Sequence, residues 1–204
     1  MQNQKTGIII ALKIEADPFI GGLGFEKISD KPFPVYHSKN LCLAVSGMGQ
    51  VRSALAASYI INTYKTQKLC NLGSAGAAGD MFKTGDILNI DSVMDYGSLR
   101  ITKKPGIVKP CFLRGYRTAS LATLDAPVTD PRERKEISAH ADLIDMEGYG
   151  FAKACEIFNI SAFLFKIVSD GPEDNDRDKI IRNIKKFSEK IFSFFKDEIV
   201  GKLS

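Results

Sequence analysis

The sequence predicts an α/β protein, a three-layer α/β/α arrangement around a central mixed β-sheet. Two observations predict it. Apolar, β-branched runs recur at Gly7 to Leu12, Leu41 to Ser46, Leu69 to Leu72, Asp86 to Val93 and Ala162 to Val168, each flanked by Gly, Asp or Ser. Continuous apolar runs of this length suit strands buried on both faces of a sheet. Between them lie segments of helical period, so that strand, helix and strand alternate as in a βαβ unit.

The first run follows a polar start, MQNQKT, and is too short for a secretory apolar region or a membrane span, which points to a cytoplasmic protein. Glu15 comes just after it. The second run ends in Ser46-Gly-Met-Gly49, and Gln50 to Tyr64 then places Val51, Ala54, Leu55, Ser58, Ile61 and Tyr64 at helical spacing. The third run leads into Asn71-Leu-Gly-Ser-Ala-Gly76. Ser98 to Arg117, rich in Lys, Arg, Pro and Gly, lacks a period and reads as a mobile loop or short irregular pieces. A helix is expected from Asp145 to Phe158, and a last one from Arg177 to about Ile199, with Ile180, Ile184, Phe187, Ile191 and Phe194 on one core-facing stripe. Without repeats, low-complexity tracts or linkers, residues 1–204 are expected to form a single domain.

Composition excludes several classes. A net charge of +4, spread without single-sign blocks, is too small to argue for nucleic acid. Cys42, Cys70, Cys111 and Cys155 have no CxxC spacing and read as reduced core thiols. There is no metal-ligand cluster and no dinucleotide fingerprint, so neither metal nor cofactor is expected. His37 and His140 read as surface residues.

Polar and glycine-rich signals stand at strand ends, where open α/β sheets place ligands. They are Glu15, the Ser46 to Gly49 turn, the Asn71 to Gly76 segment, Asp145-Met146-Glu147, and Ser169-Asp170. Each has a plain structural reading. A glycine-rich turn is ordinarily only a tight turn, Asp145 can cap a helix, and Ser169 with Asp170 ahead of Pro172 suits a turn.

In combination and order these segments resemble the nucleoside phosphorylase/nucleosidase superfamily over nearly the whole chain, and the methylthioadenosine/adenosylhomocysteine nucleosidases most of all. GIIIALKIEAD, SGMGQVRSALAA, NLGSAG with TGDI, and IDMEGYGFAKACEIFNISAFLFKIVSDG are similar to that family's motifs, and Asp145 and Asp170 stand 25 residues apart as they do there. The resemblance implies a nucleoside phosphorylase-like fold and hydrolysis of a purine nucleoside's N-glycosidic bond. Asp170 matches the acid that protonates the leaving base, a need set by the poor leaving ability of a purine anion. Glu15 matches the water-activating glutamate. Glu147 matches the ribose-binding glutamate, placed to favour an oxocarbenium-like sugar, with Met146 against the sugar. Ser74 and Gly73 would help hold water and ribose, with Ser169, Met48 and the Val128 backbone completing the pocket.

Two departures follow. The chain is shorter than those nucleosidases between Asp86 and the TLDAPV segment, and Pro127 stands where they carry a base-stacking Phe. A different or bulkier adenosine derivative, aminofutalosine-like among others, fits such a pocket. A phosphate-dependent phosphorylase is the second reading, although Asn71 replaces the Arg of related bacterial phosphorylases and Glu15 would repel phosphate. A non-catalytic nucleoside-binding module is the third. The resemblance also implies a homodimer.

Overall fold

The computed structural model describes residues 5–102 and 104–203; most of the polar start lies outside them. The strands are β1 (Thr6–Ile10), β2 (Glu26–Ser29), β3 (Val35–Ser38), β4 (Leu41–Val45), β5 (Lys68–Ala77), β6 (Ile87–Asp95), β7 (Ile107–Val108), β8 (Thr118–Thr123), β9 (Leu143–Asp145) and β10 (Ser161–Asp170). The helices are α1 (Lys13–Gly22), α2 (Gln50–Tyr64), α3 (Tyr96–Thr102), α4 (Pro131–Ile137), α5 (Gly148–Ile157), α6 (Arg177–Phe194) and α7 (Val200–Leu203).

The sheet is mixed. Strand β1 runs parallel to β4 and β5, and β5 parallel to β10, while β10 pairs antiparallel with β6. From β6 the sheet continues through β8 and β9, and β9 returns antiparallel to β5, so five strands close on themselves. On the other side of β4, β3 and β2 extend the sheet as antiparallel strands. The alternation of side chains along β1 divides the core. Ile9 joins Ala56, Ile60, Phe151 and Cys155 of α2 and α5, whereas Ile8 and Ile10 join Phe19 of α1 and Ile191 of α6. Helices therefore cover both faces.

Several elements differ from expectation. The Asn71 to Gly76 segment is not a turn: it continues β5 and pairs with β10 as far as Gly76. The helix expected from Asp145 begins only at Gly148, because Leu143–Asp145 is a strand held between β8 and β5. The stretch read as irregular contains the end of α3 and all of β7, and Cys111 bridges to Phe163. Cys111 is exposed, whereas the other three thiols are buried. The last helix passes through a π-helical turn at Phe195–Ile199 before α7. That turn changes the helix register, and the Leu203 carbonyl then accepts from Thr6 Oγ1 and Lys68 Nζ, both at 3.0 Å. Among the described residues no helix is long and apolar enough to cross a membrane.

Candidate active site

A cavity of about 720 Å³ opens at the ends of β1, β5, β9 and β10. Every residue given a site role from sequence lines it: Glu15, Met48, Gly73, Ser74, Val128, Met146, Glu147, Ser169 and Asp170; of the Ser46 to Gly49 turn only Met48 does. Glu15 stands in the first turn of α1 rather than in a loop, and is buried. Its Oε1 accepts from the Ser74 amide at 2.9 Å and the Ser74 hydroxyl at 2.8 Å, and Oε2 accepts from the Leu12 amide at 3.3 Å. A Cβ at position 73 would lie 3.4 Å from Glu15 Oε1, in ordinary contact, so Gly73 borders the carboxylate closely.

Glu147 sits at the start of α5, where its Oε1 accepts from the Gly49 amide at 2.8 Å. Gly49 has φ 104° and ψ 152° at the start of α2, a conformation that side chains strongly disfavour. Burial pushes the Glu147 carboxyl up to about 7, with Asp145 and Glu15 adding to the rise, against the pull of Lys166 and the Gly49 amide.

Two buried cations complete the polar lining. Lys166, in the middle of β10, is 1% exposed and its Nζ lies 2.8 Å from Asp145 Oδ2. Burial works against its charge, yet Asp145, Glu147 and Glu15 hold it above the ordinary lysine value. Asp145 also accepts from Thr123 Oγ1 at 2.7 Å and from the Gly148 amide at 2.9 Å, so it does meet the helix start. Arg134, on α4, is 4% exposed and forms an ion pair with Asp170 Oδ2. It also donates to the carbonyls of Val128, Ala77 and Gly171, each at 3.0 Å. The Ser169 hydroxyl donates to Asp170 Oδ1.

Sequence reasoning missed both cations. Lys166 carried a signal, since a charged residue inside an apolar strand requires a partner; Arg134 carried none. Ile180 and Ile184 of α6, expected only to pack, line the cavity with Leu12 and Ile181. Ala126, Pro127 and Val128 border it where an aromatic ring was absent from the sequence. Asn71 lines it too, its Oδ1 buried without a hydrogen-bond donor. Among the described residues no cluster of His, Cys, Asp and Glu is arranged to hold a metal.

A buried set of carboxylates at the strand ends of a mixed α/β sheet can hold a small polar molecule and favours one that gains positive charge. The family model of the phosphorylase superfamily matches residues 32–114 and 114–198. The chain belongs to this superfamily. It is 26% identical to a 5′-methylthioadenosine/S-adenosylhomocysteine nucleosidase of Buchnera aphidicola, over 87% of this chain and 82% of that protein. It is 27% identical to an aminodeoxyfutalosine nucleosidase of Campylobacter jejuni, over 90% of this chain and 94% of the relative. The fold is shared with the methylthioadenosine/adenosylhomocysteine nucleosidase of Helicobacter pylori, at TM-score 0.87 and 19% identity, with 99% of this chain and 100% of the other covered. The methylthioadenosine nucleosidase of Arabidopsis thaliana also superposes at TM-score 0.87, with 17% identity and 98% and 96% coverage.

Proposed function

We propose that the protein is an N-glycosidase that hydrolyses a purine nucleoside, a methylthioadenosine, adenosylhomocysteine or other modified adenosine, to free base and free sugar. The observation that carries this reading is the placement of Glu15, Glu147 and Asp170 around one cavity with different partners. Asp170 gives a proton to N7 of the base as the C1′–N9 bond breaks, and the bonding pair leaves on the purine. Glu147 holds the ribose hydroxyls and favours the cationic sugar. Glu15, fixed by Ser74 and Leu12, orients a water and takes its proton as the oxygen bonds to C1′. Met146 and Met48 contact the sugar side, and the Val128 backbone meets the base edge.

Water suits this lining better than phosphate. The two buried cations, Lys166 and Arg134, are engaged by Asp145 and Asp170, and Glu15 stands where a dianion would be repelled. Val51 and Leu55 are exposed a turn apart on α2, beside the equally exposed Met48, an apolar strip suited to a second copy of the chain. We infer a cytoplasmic homodimer in which each chain works as one domain.

Incubation of adenosine derivatives in isotopically labelled water, with and without phosphate, tests the reaction. Free base and labelled, unphosphorylated sugar are expected at a rate independent of phosphate, and Glu15→Ala abolishes both. A sugar phosphate, formed faster as phosphate is added, would make the protein a phosphorylase.

A further inference from the structure

Arg177, Ile180, Ile181 and Ile184 of α6 all line the cavity, and their helical spacing puts them on one stripe that faces the site. The stripe has a direction. Asn183, beside its inner end, donates through Nδ2 to the Ser169 carbonyl at 2.8 Å, which pins that turn to the end of β10. Arg177 is the first residue of the helix, about 10 Å further out along its axis, and it is exposed. The stripe is therefore apolar beside the strand ends and cationic at the mouth of the cavity. Ile181, between the two, is 48% exposed, so apolar surface in the site stands open.

The acids around Arg177 are engaged elsewhere. Asp174 pairs with Lys179 and accepts from the Gly171 amide at 2.9 Å. Asp176 caps α6, accepting from the Asp178 and Lys179 amides at 2.9 and 3.1 Å, and its other oxygen lies 3.8 Å from Arg182 Nη2. Asp178 follows Arg177 directly and so points about 100° round the helix. Among the described residues Arg177 forms no ion pair with any carboxylate. An exposed arginine at a helix start is ordinarily a solvated surface residue. What distinguishes this one is its place at the outer end of an apolar stripe that faces the cavity.

In the reading proposed above, on which this inference rests, Asp170 and Val128 meet the base, Glu147 the ribose hydroxyls and Glu15 the water. The part of the nucleoside left without a partner is the 5′ substituent, and the wall left for it is the α6 stripe with Leu12. An apolar chain on the 5′ carbon would cover the isoleucines, and a carboxylate at its end would meet the guanidinium, whose planar fork matches it. We propose that Arg177 is a specificity-determining residue that selects nucleosides whose 5′ substituent is an apolar chain ending in a carboxylate. A methylthio group is too short to reach it. Because the chain end is remote from the breaking bond, the contact is the same in bound substrate and transition state and acts on KM rather than kcat.

The test uses two 5′-thioadenosines that differ only at the end of the chain on sulfur, a pentanoate and the matching pentanamide. The wild type is expected to cleave the carboxylate with kcat/KM about 5-fold above that of the amide, the worth of a partly exposed ion pair. The difference should lie in KM and shrink as salt is added. Arg177→Met should remove the preference and Arg177→Glu should invert it; position 177 is exposed, so both variants should fold. Equal values for the two substrates in the wild type, or a preference that survives in Arg177→Met, would overturn the proposal and leave hydrolysis intact. A wild-type protein that cleaves neither substrate would overturn hydrolysis, and the role of Arg177 with it.

Discussion

Replacement of Lys166 by methionine is the sharpest test of how the site is held together. Methionine keeps most of the volume and removes the charge, so the change probes electrostatics more than packing. At 2.8 Å from Asp145 Oδ2, an effective dielectric of about 20 gives a gross attraction of roughly 6 kcal/mol. Desolvation of both ions offsets much of that, and breaking a buried pair by removing one partner costs about 3–5 kcal/mol, because the other charge stays behind. Asp145 keeps its bonds to Thr123 Oγ1 and the Gly148 amide, which puts the expected loss near the lower end, about 3 kcal/mol. For a chain of this size that corresponds to a fall in Tm of roughly 6–12 °C. The assay is urea denaturation of the wild type, Lys166→Met, Asp145→Asn and the double variant. The double variant should lose at least about 2 kcal/mol less than the two singles together, since no unpaired carboxylate remains. Additive losses, or a loss below about 1 kcal/mol for Lys166→Met, would show that the pair does not govern the stability of the site.

Two further expectations concern Glu147. Its carboxyl, at about 7 in the free protein, must be ionised to bind hydroxyls and favour a cationic sugar, so kcat/KM should rise with pH through about 7 and the rise should vanish in Glu147→Gln. The same shift acts on stability: the folded form holds this proton more tightly than an unfolded chain at 4.5, so the contribution is complete below pH 4.5 and is lost as pH climbs to about 7. The decline, at most about 3 kcal/mol, is read from denaturation midpoints of wild type against Glu147→Gln. Gly49→Ala forces a side chain into a backbone region that only glycine adopts readily, at a cost of about 1–3 kcal/mol, and disturbs the amide that Glu147 accepts from. A higher KM with a lower Tm is expected, and unchanged kinetics would detach that amide from the function.

The parts legible in the sequence were those with a strong local signal. Helix α2 runs from Gln50 to Tyr64 as its period indicates, bounded by Gly49 and by Lys65 in the left-handed conformation. The buried strands announced themselves as apolar runs. Helix α1 did not, because Pro18, Gly21 and Gly22 fall in one short window. Strands β2 and β8, EKIS and TASLAT, carry no apolar run, and only pairing with their neighbours makes them strands. The carboxylates were found through their order along the chain, which is a family property. Arg134 was beyond reach for a physical reason: in DPRERKEI it is indistinguishable by composition from Arg132, yet the Arg132 side chain is 90% exposed and the Arg134 side chain 4%. The turn of α4 that aims one arginine at Asp170 and the other at solvent is a tertiary fact.

How the charges are divided gives the site its chemical character. Of the four carboxylates lining the cavity, Asp145 and Asp170 have cations of their own, Lys166 and Arg134. Glu15 and Glu147 are held by neutral donors, Ser74, Leu12 and the Gly49 amide. The paired carboxylates are anchored by the body of the protein, whereas the negative charge of the other two is left for whatever fills the cavity. Such a lining favours a sugar that turns cationic, as breaking an N-glycosidic bond requires whatever the nucleophile, and it repels an anionic one, which sets water ahead of phosphate. Reversing that preference would take a cation near Ser74 in place of Glu15, and Asn71, with its buried acceptor and no charge, supplies none.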